Sequence, residues 1–288
     1  MGSGAGRPKV RVRLPPAVEE RMRAVRERME RIKHKVVVMS GKGGVGKSFI
    51  ASSLALALAS LNYRVGLMDV DFHGPSAPKM LGIRGRRLVA AGGGIEPAVG
   101  PLGVLVMSLD FLLPEDDTPV IWRGPIKSTA ITQFVSDVNW GELDYLVIDM
   151  PPGTGDEAIT VAQQLPQVDG AVFVTIPSEV SLMVVGRTIV FARKVGIRPL
   201  GVIENMSEFY CPDTGRTYRI FGRGSGRLIA ERYGIEFLGE IPLDPRIAES
   251  NDRGEPFILK YPDSEASKRI FKVTEKLVAI VEGQGGGK

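Results

Sequence analysis

Residues 41–48 read GKGGVGKS and stand between the apolar run Val36–Met39 and a helical pattern that opens at Phe49. A glycine-rich segment joining a strand to a helix satisfies G-x-x-x-x-G-K-[ST] in the context that gives this spacing its chemistry. Gly41, Gly43, Gly44 and Gly46 let successive backbone N–H groups, that of Val45 included, turn inward around phosphate oxygens. The helix N-terminus at Phe49 adds partial positive charge. Lys47 reaches the β- and γ-phosphates, and Ser48 is placed to ligate Mg2+. The chain is therefore expected to build a strand–loop–helix nucleotide site from Gly41 to Phe49.

Such a site needs a sheet to sit on, and the rest of the sequence supplies one. Short β-branched runs alternate with helical patterns at Val36–Met39, Val65–Asp69, Val104–Met107, Tyr145–Asp149, Ala171–Ile176, Leu200–Glu204 and Phe237–Ile241. That alternation predicts an α/β fold with a doubly wound, mainly parallel sheet flanked by helices and right-handed crossovers. Between Arg84 and Met107 the turn-rich sequence predicts a small excursion or an antiparallel edge. Ala266, Ile270, Val273, Leu277 and Ile280 predict a C-terminal helix packed on the core.

The ends of the chain differ from its body. Residues 1–35 hold 11 Lys and Arg against four Glu, so most of the basicity of a chain of net charge +4 lies there. Residues 1–34 are read as a basic leader followed by an amphipathic helix with the seam Val18, Met22, Val25, Met29 and Ile32, and residues 35–288 as the nucleotide-binding domain. The arm is read as a solvated helix face and not as a nucleic-acid contact. One cysteine, Cys211, excludes an intramolecular disulfide framework, and no apolar run approaches the ~20 residues that cross a bilayer. With no targeting pattern at the N-terminus, a cytoplasmic location is expected.

Carboxylates mark where the chemistry gathers. Asp69 and Asp71 follow the second run, at the carboxyl end of a strand, where a doubly wound sheet opens its ligand crevice. Either could hold Mg2+ or orient the attacking water. Asp149 ends a later run as a Walker-B-type acid, and the stiff Pro151-Pro152-Gly153 turn after it can present backbone N–H groups to a γ-phosphate. His73 is read as a turn residue. Lys42 is a second loop lysine that one bound nucleotide does not require.

Taken together, "SGKGGVGKS", "DVDFHGPSAPKMLG", "WRGPIKS", "LDYLVIDMPPGTGDEAIT", "ENMS", "CPDTG" with "IFG", and "GEIPLDPRIAES" run in family order from about Val36 to Ser250. They resemble the MinD/ParA branch of P-loop ATPases, and more closely the Mrp/ApbC family of iron–sulfur cluster carrier ATPases. The resemblance implies ATP hydrolysis with Mg2+ by a homodimer that sandwiches two nucleotides. It implies Lys42 as the signature lysine reaching the partner's phosphates, Asp71 as the carboxylate orienting the attacking water, and Asp149 as a water-mediated Mg2+ partner. Asn205, Pro242 and Asp244 become adenine-side contacts; Asn205, at a strand end, independently offers a donor and an acceptor to a purine edge.

The family also holds a labile cluster, usually [4Fe–4S], between subunits through a Cys-x-x-Cys pair from each, and passes it to apo client proteins and assembly factors. Here Cys211 is the iron–sulfur candidate, and Thr214 stands where the second cysteine would be. Val184 likewise stands where the family has an acidic residue. The competing reading is a MinD/ParA-type positioning or regulatory switch on membrane or DNA, for which the basic arm and the C-terminal helix speak. A third reading makes 204–221 a metal-free docking hairpin.

Overall fold

The computed structural model describes residue 23 and residues 25–71, 74–91, 93–112, 124–211 and 214–283. The leader, Val18 and Met22, His73, Trp122 and Arg123 of "WRGPIKS", and the Pro212-Asp213 turn lie outside the described residues.

The strands in chain order are β1 (Ile32–Ser40), β2 (Val65–Asp69), β3 (Val89–Ala91), β4 (Gly94–Glu96), β5 (Ala98–Val99), β6 (Leu105–Ser108), β7 (Leu143–Asp149), β8 (Gly170–Thr175), β9 (Pro199–Cys211), β10 (Arg216–Tyr218) and β11 (Glu236–Leu243). Nine form one sheet in the order β10-β9-β8-β1-β7-β2-β6-β5, with β11 also paired to β9. The pairs from β9 through β8, β1, β7 and β2 to β6 are parallel, as is β9 with β11, while β10 and β5 are antiparallel additions at the edges. The Arg84–Met107 stretch is both things its sequence allowed, a β3–β4 hairpin and an antiparallel β5 edge.

Beyond the helical residues 25–30, the α-helices are α1 (Lys47–Ser60), α2 (Ala77–Met80), α3 (Gly124–Asp137), α4 (Asp156–Gln164), α5 (Glu179–Lys194), α6 (Ser225–Tyr233), α7 (Pro245–Arg253), α8 (Phe257–Lys260) and α9 (Glu265–Glu282). The period-2 geometry of the strands divides the core into two layers. Val36, Val38, Tyr145 and Val147 pack on one side against Leu54 and Leu58 of α1 and Ile270 and Leu277 of α9. Their neighbours Val37, Met39, Leu146 and Ile148 pack on the other, against Phe134 of α3, Val161 of α4, Ile189 of α5 and Ile229 of α6. A sheet apolar on both faces is the signature of parallel strands covered twice.

Val25, Met29 and Ile32 of the N-terminal seam are buried in the second layer. The Lys35 ammonium, also buried, donates to the carbonyls of Ile32 at 2.8 Å and Met29 at 3.1 Å. Met29 is in the last turn of the helical residues 25–30 and Ile32 lies two residues beyond them, so the lysine satisfies carbonyls where that helix ends. β1 accordingly starts at Ile32, before the apolar run that announces it. β9 runs seven residues past Glu204, because β10 and β11 supply hydrogen bonds to a segment too polar to read as a strand.

Candidate nucleotide-binding site

The carboxyl ends of β1, β7 and β2 lie side by side and carry, respectively, the glycine loop, Asp149 and Asp69. Gly46 takes φ +81°, a left-handed conformation, and a Cβ there would stand 2.2 Å from the Asn205 amide nitrogen. Only glycine fits that backbone and that approach. Gly41 is constrained differently: a Cβ would come within 2.8 Å of the backbone at Val184 and Val185 of α5. Gly43 and Gly44, by contrast, face open space. The helix opens at Lys47, two residues before the expected Phe49, because the carbonyl of left-handed Gly46 already accepts the Ile50 N–H at 3.0 Å. Phe49 itself turns into the core against Phe257.

Lys47 and Asp149 form a buried ion pair, with the Asp71 carboxylate 3.5 Å from the same ammonium and the Ser48 hydroxyl at 3.4 Å. Burial opposes the charge on Lys47, but Asp149 and Asp71 outweigh it and hold the ammonium above the ordinary lysine range. Asp69, deeper still, is pushed up to about 7 by burial and then by the Asp149 charge. One oxygen of Asp149, Oδ2, is buried without a hydrogen-bond partner among the described residues. An orphaned carboxylate oxygen beside a serine hydroxyl and a second carboxylate is a donor set that suits Mg2+, which takes one or two carboxylates and completes its shell with phosphates and water. Among the described residues no three His, Cys, Asp or Glu side chains converge into an all-protein metal cage.

The remaining candidates surround this centre. Gly153, at φ +86°, donates its N–H to the Ser40 carbonyl at 2.8 Å, which brings the Pro-Pro-Gly turn against the start of the glycine loop. Lys42 is half-buried, with its carbonyl accepting from Ser40 Oγ at 3.0 Å. Asn205 donates from Nδ2 to the Val45 carbonyl at 2.9 Å, so the adenine-side candidate touches the phosphate loop. Ile241 is the β11 partner of Asn205, which puts Pro242 and Asp244 at the same end of the sheet. Asp244 is engaged in capping α7: it accepts from the Arg246 N–H at 3.0 Å and from the Arg246 guanidinium at 2.9 and 2.6 Å.

Beyond Asn205, Met206 adopts φ +55° and the β9–β11 register slips, so that Leu243 faces Phe209. A non-glycine residue in this region marks local strain of the kind found at functional segments. The strand continues to Cys211, whose carbonyl accepts the Gly215 N–H at 2.9 Å. Its thiol is in no disulfide. Cys211, Tyr210, Pro242 and Asp244 line one cavity of 770 Å³. Cys211 therefore lies six residues along one strand from the residue that touches the phosphate loop.

A family model described as ParA: NUBPL iron-transfer P-loop NTPase matches residues 31–278. The chain belongs to this family. Relatives named iron–sulfur cluster carrier protein include one from Saccharolobus solfataricus, 59% identical over 258 residues that span 90% of this chain and 87% of that protein. Another, from Methanocaldococcus jannaschii, is 50% identical over 260 residues, covering 90% of this chain and 89% of the relative. Among solved structures, the nucleotide-binding protein of Archaeoglobus fulgidus in complex with ADP superposes with a TM-score of 0.73 at 39% identity, covering 82% of this chain and 92% of that one. MinD of Pyrococcus horikoshii complexed with Mg-ADP has a TM-score of 0.64 at 21% identity over 85% of this chain and 96% of its own, and shares the fold. The Mrp/ApbC resemblance and the MinD/ParA-like architecture are thus both found.

Some participants gave no signal in the sequence. Ser108 reads as the end of an apolar strand, yet it donates to Asp69. Glu204 is buried behind Asn205 and accepts the Gly226 N–H at 2.6 Å, capping α6 from within β9. Neither bond follows a local spacing rule, since the partners are 39 and 22 residues apart.

Proposed function

We propose that the protein binds and hydrolyses ATP as a homodimer and uses that cycle to carry an iron–sulfur cluster to apo client proteins, in the cytoplasm. The observation that carries the nucleotide half is the buried Lys47–Asp149 pair with the orphaned Asp149 oxygen, beside a loop in which Gly41 and Gly46 leave no room for a side chain. What supports the carrier half is the iron–sulfur carrier name borne by relatives of 50% and 59% identity.

In this reading the backbone N–H groups of Gly43 to Lys47 receive the phosphates, and Lys47 exchanges its carboxylate partners for the β- and γ-phosphate oxygens. Asp71, released from Lys47, accepts a hydrogen bond from water and aims it at the γ-phosphorus, in line with the β–γ bridging oxygen that leaves with ADP. Ser48, Asp149 and Asp71 would hold Mg2+, which would neutralise charge on the phosphates. Gly153, whose N–H the Ser40 carbonyl accepts at 2.8 Å and so does not face the γ-phosphate as the sequence suggested, braces the Pro-Pro-Gly turn beside the loop. Lys42 reaches across to the nucleotide of the second subunit. Asn205, Pro242 and Asp244 bound the adenine.

The cargo is held by Cys211 of both subunits. Two thiolates in place of four leave cluster iron open to a recipient's ligands, which suits a cargo meant to leave. β9 joins Asn205 to Cys211, so the occupant of the phosphate loop and the cargo share one strand.

ATP hydrolysis and ADP titration on three variants test the nucleotide half. Lys47→Ala is expected to abolish measurable binding of both nucleotides. Asp71→Asn should bind ADP as the parent does while turnover falls by about 10²- to 10⁴-fold. Lys42→Ala should bind nucleotide yet lose ATP-dependent dimerisation. Unaltered turnover in Asp71→Asn contradicts the assignment.

A further inference from the structure

Asp69 ends β2 two residues before Asp71, and the hydrolytic reading gives it no work. It is fully buried, yet it accepts three hydrogen bonds that converge from different parts of the chain. Oδ1 accepts the Asp71 N–H at 3.2 Å. Oδ2 accepts the Ala77 N–H, at the start of α2, at 3.3 Å and the Ser108 hydroxyl at 3.0 Å. Ser108 is the register partner of Asp69 on the neighbouring strand β6, and its Oγ in turn accepts the Asp110 N–H at 3.2 Å. One carboxylate therefore binds the backbone of Asp71 to two fixed points, a helix start and a strand end.

The chemistry of the three partners is selective. Each is a donor, so all three need an acceptor oxygen, which a carboxylate offers on both arms. Asparagine would put an NH2 group against one of these donors, keeping the shape and reversing the polarity.

We propose that Asp69 is a positioning residue for hydrolysis: by tying the Asp71 backbone to Ala77 and Ser108, it sets where the Asp71 carboxylate stands, 3.5 Å from the Lys47 ammonium. It touches neither the nucleotide nor the attacking water. The inference rests on the ATP-hydrolysis reading above. Displacement of an orienting group by about 1 Å is enough to cost up to ~100-fold in rate, so a residue that fixes its backbone is felt in turnover.

Steady-state ATP hydrolysis, ADP titration calorimetry and thermal denaturation on Asp69→Asn, Ser108→Ala, Asp71→Asn and the Asp69→Asn/Asp71→Asn double variant test this. Asp69→Asn is expected to lower kcat by about 10- to 100-fold while ADP affinity stays within about threefold. Ser108→Ala keeps the carboxylate and removes one of its three anchors, so it should show a smaller fall in kcat with the same intact ADP binding; it carries the test if Asp69→Asn does not fold. The double variant should turn over no more slowly than Asp71→Asn alone, because both changes remove the same orientation. Unchanged kcat in both Asp69→Asn and Ser108→Ala, a parallel loss of kcat and ADP affinity in them, or fully multiplicative effects in the double variant would each overturn the proposal. Absence of hydrolysis by the parent protein would instead remove the reading beneath it, and that is seen before any variant is made.

Discussion

At the scale of single residues the site is made of groups that have one workable identity each. Gly46 is the clearest, since both its left-handed backbone and the Asn205 amide at 2.2 Å from the virtual Cβ forbid a side chain. Gly46→Ala is expected to lower stability by about 1 kcal/mol or more from the backbone alone and to weaken ADP binding. In an Asn205→Ala background, which has already lost the bond from Asn205 to the Val45 carbonyl, Gly46→Ala should cost less, by the steric share, and keep the backbone share. Denaturant titration of the parent, both single variants and the double variant measures the two parts; an equal cost of Gly46→Ala in the two backgrounds would show that the close approach is not felt. The glycine loop, Lys47 and Ser48 were legible in the sequence because their chemistry is written in a contiguous spacing. Asp69 was legible only as one of two strand-end acids whose roles stayed interchangeable, and Ser108 not at all, because what separates them comes from a register between β2 and β6 that no local pattern records.

At the scale of elements, the strands that carry the site are pinned at their opposite ends. Asp144, at the start of β7, accepts from Lys33 of β1 at 2.7 Å and from the Arg64 N–H, just before β2, at 2.8 Å. These bonds, Lys33 first, hold its carboxyl down at about 2. The folded protein thus binds this proton less readily than the unfolded chain, whose aspartate titrates near ~4. Its stabilising contribution is complete above about pH 4 and is lost as pH falls toward 2. Asp144→Asn should therefore be less stable than the parent at pH 6, with the gap narrowing as the pH is lowered through that window; a gap independent of pH would contradict the ion-pair origin. Element type was readable here because apolar runs and helical periods alternate cleanly. Element ends were not: β1 gains its first residues from pairing with β7, and β9 its last from β10 and β11, so their limits are tertiary facts.

At the scale of the whole molecule, a sheet covered on both faces brings three loop ends to one edge and sends β9 onward to a lone thiol. The family membership was visible from ordered motifs, and the nucleotide half of the site from their chemistry. The cargo half could be read only as a departure, Cys211 with Thr214 in place of a second cysteine, because a cluster between subunits is a property of two chains. Among the described residues no helix is long and apolar enough to cross a membrane. The claim on which the carrier reading stands is that one thiol from each of two subunits suffices to hold iron. Iron and acid-labile sulfide content, with the visible absorption of thiolate-bound iron, measured on protein reconstituted without oxygen and on Cys211→Ser treated identically, tests it most directly. The expected result is a coloured parent dimer holding one cluster per two chains and a colourless variant; a colourless parent, or a spectrum unchanged by Cys211→Ser, would contradict it.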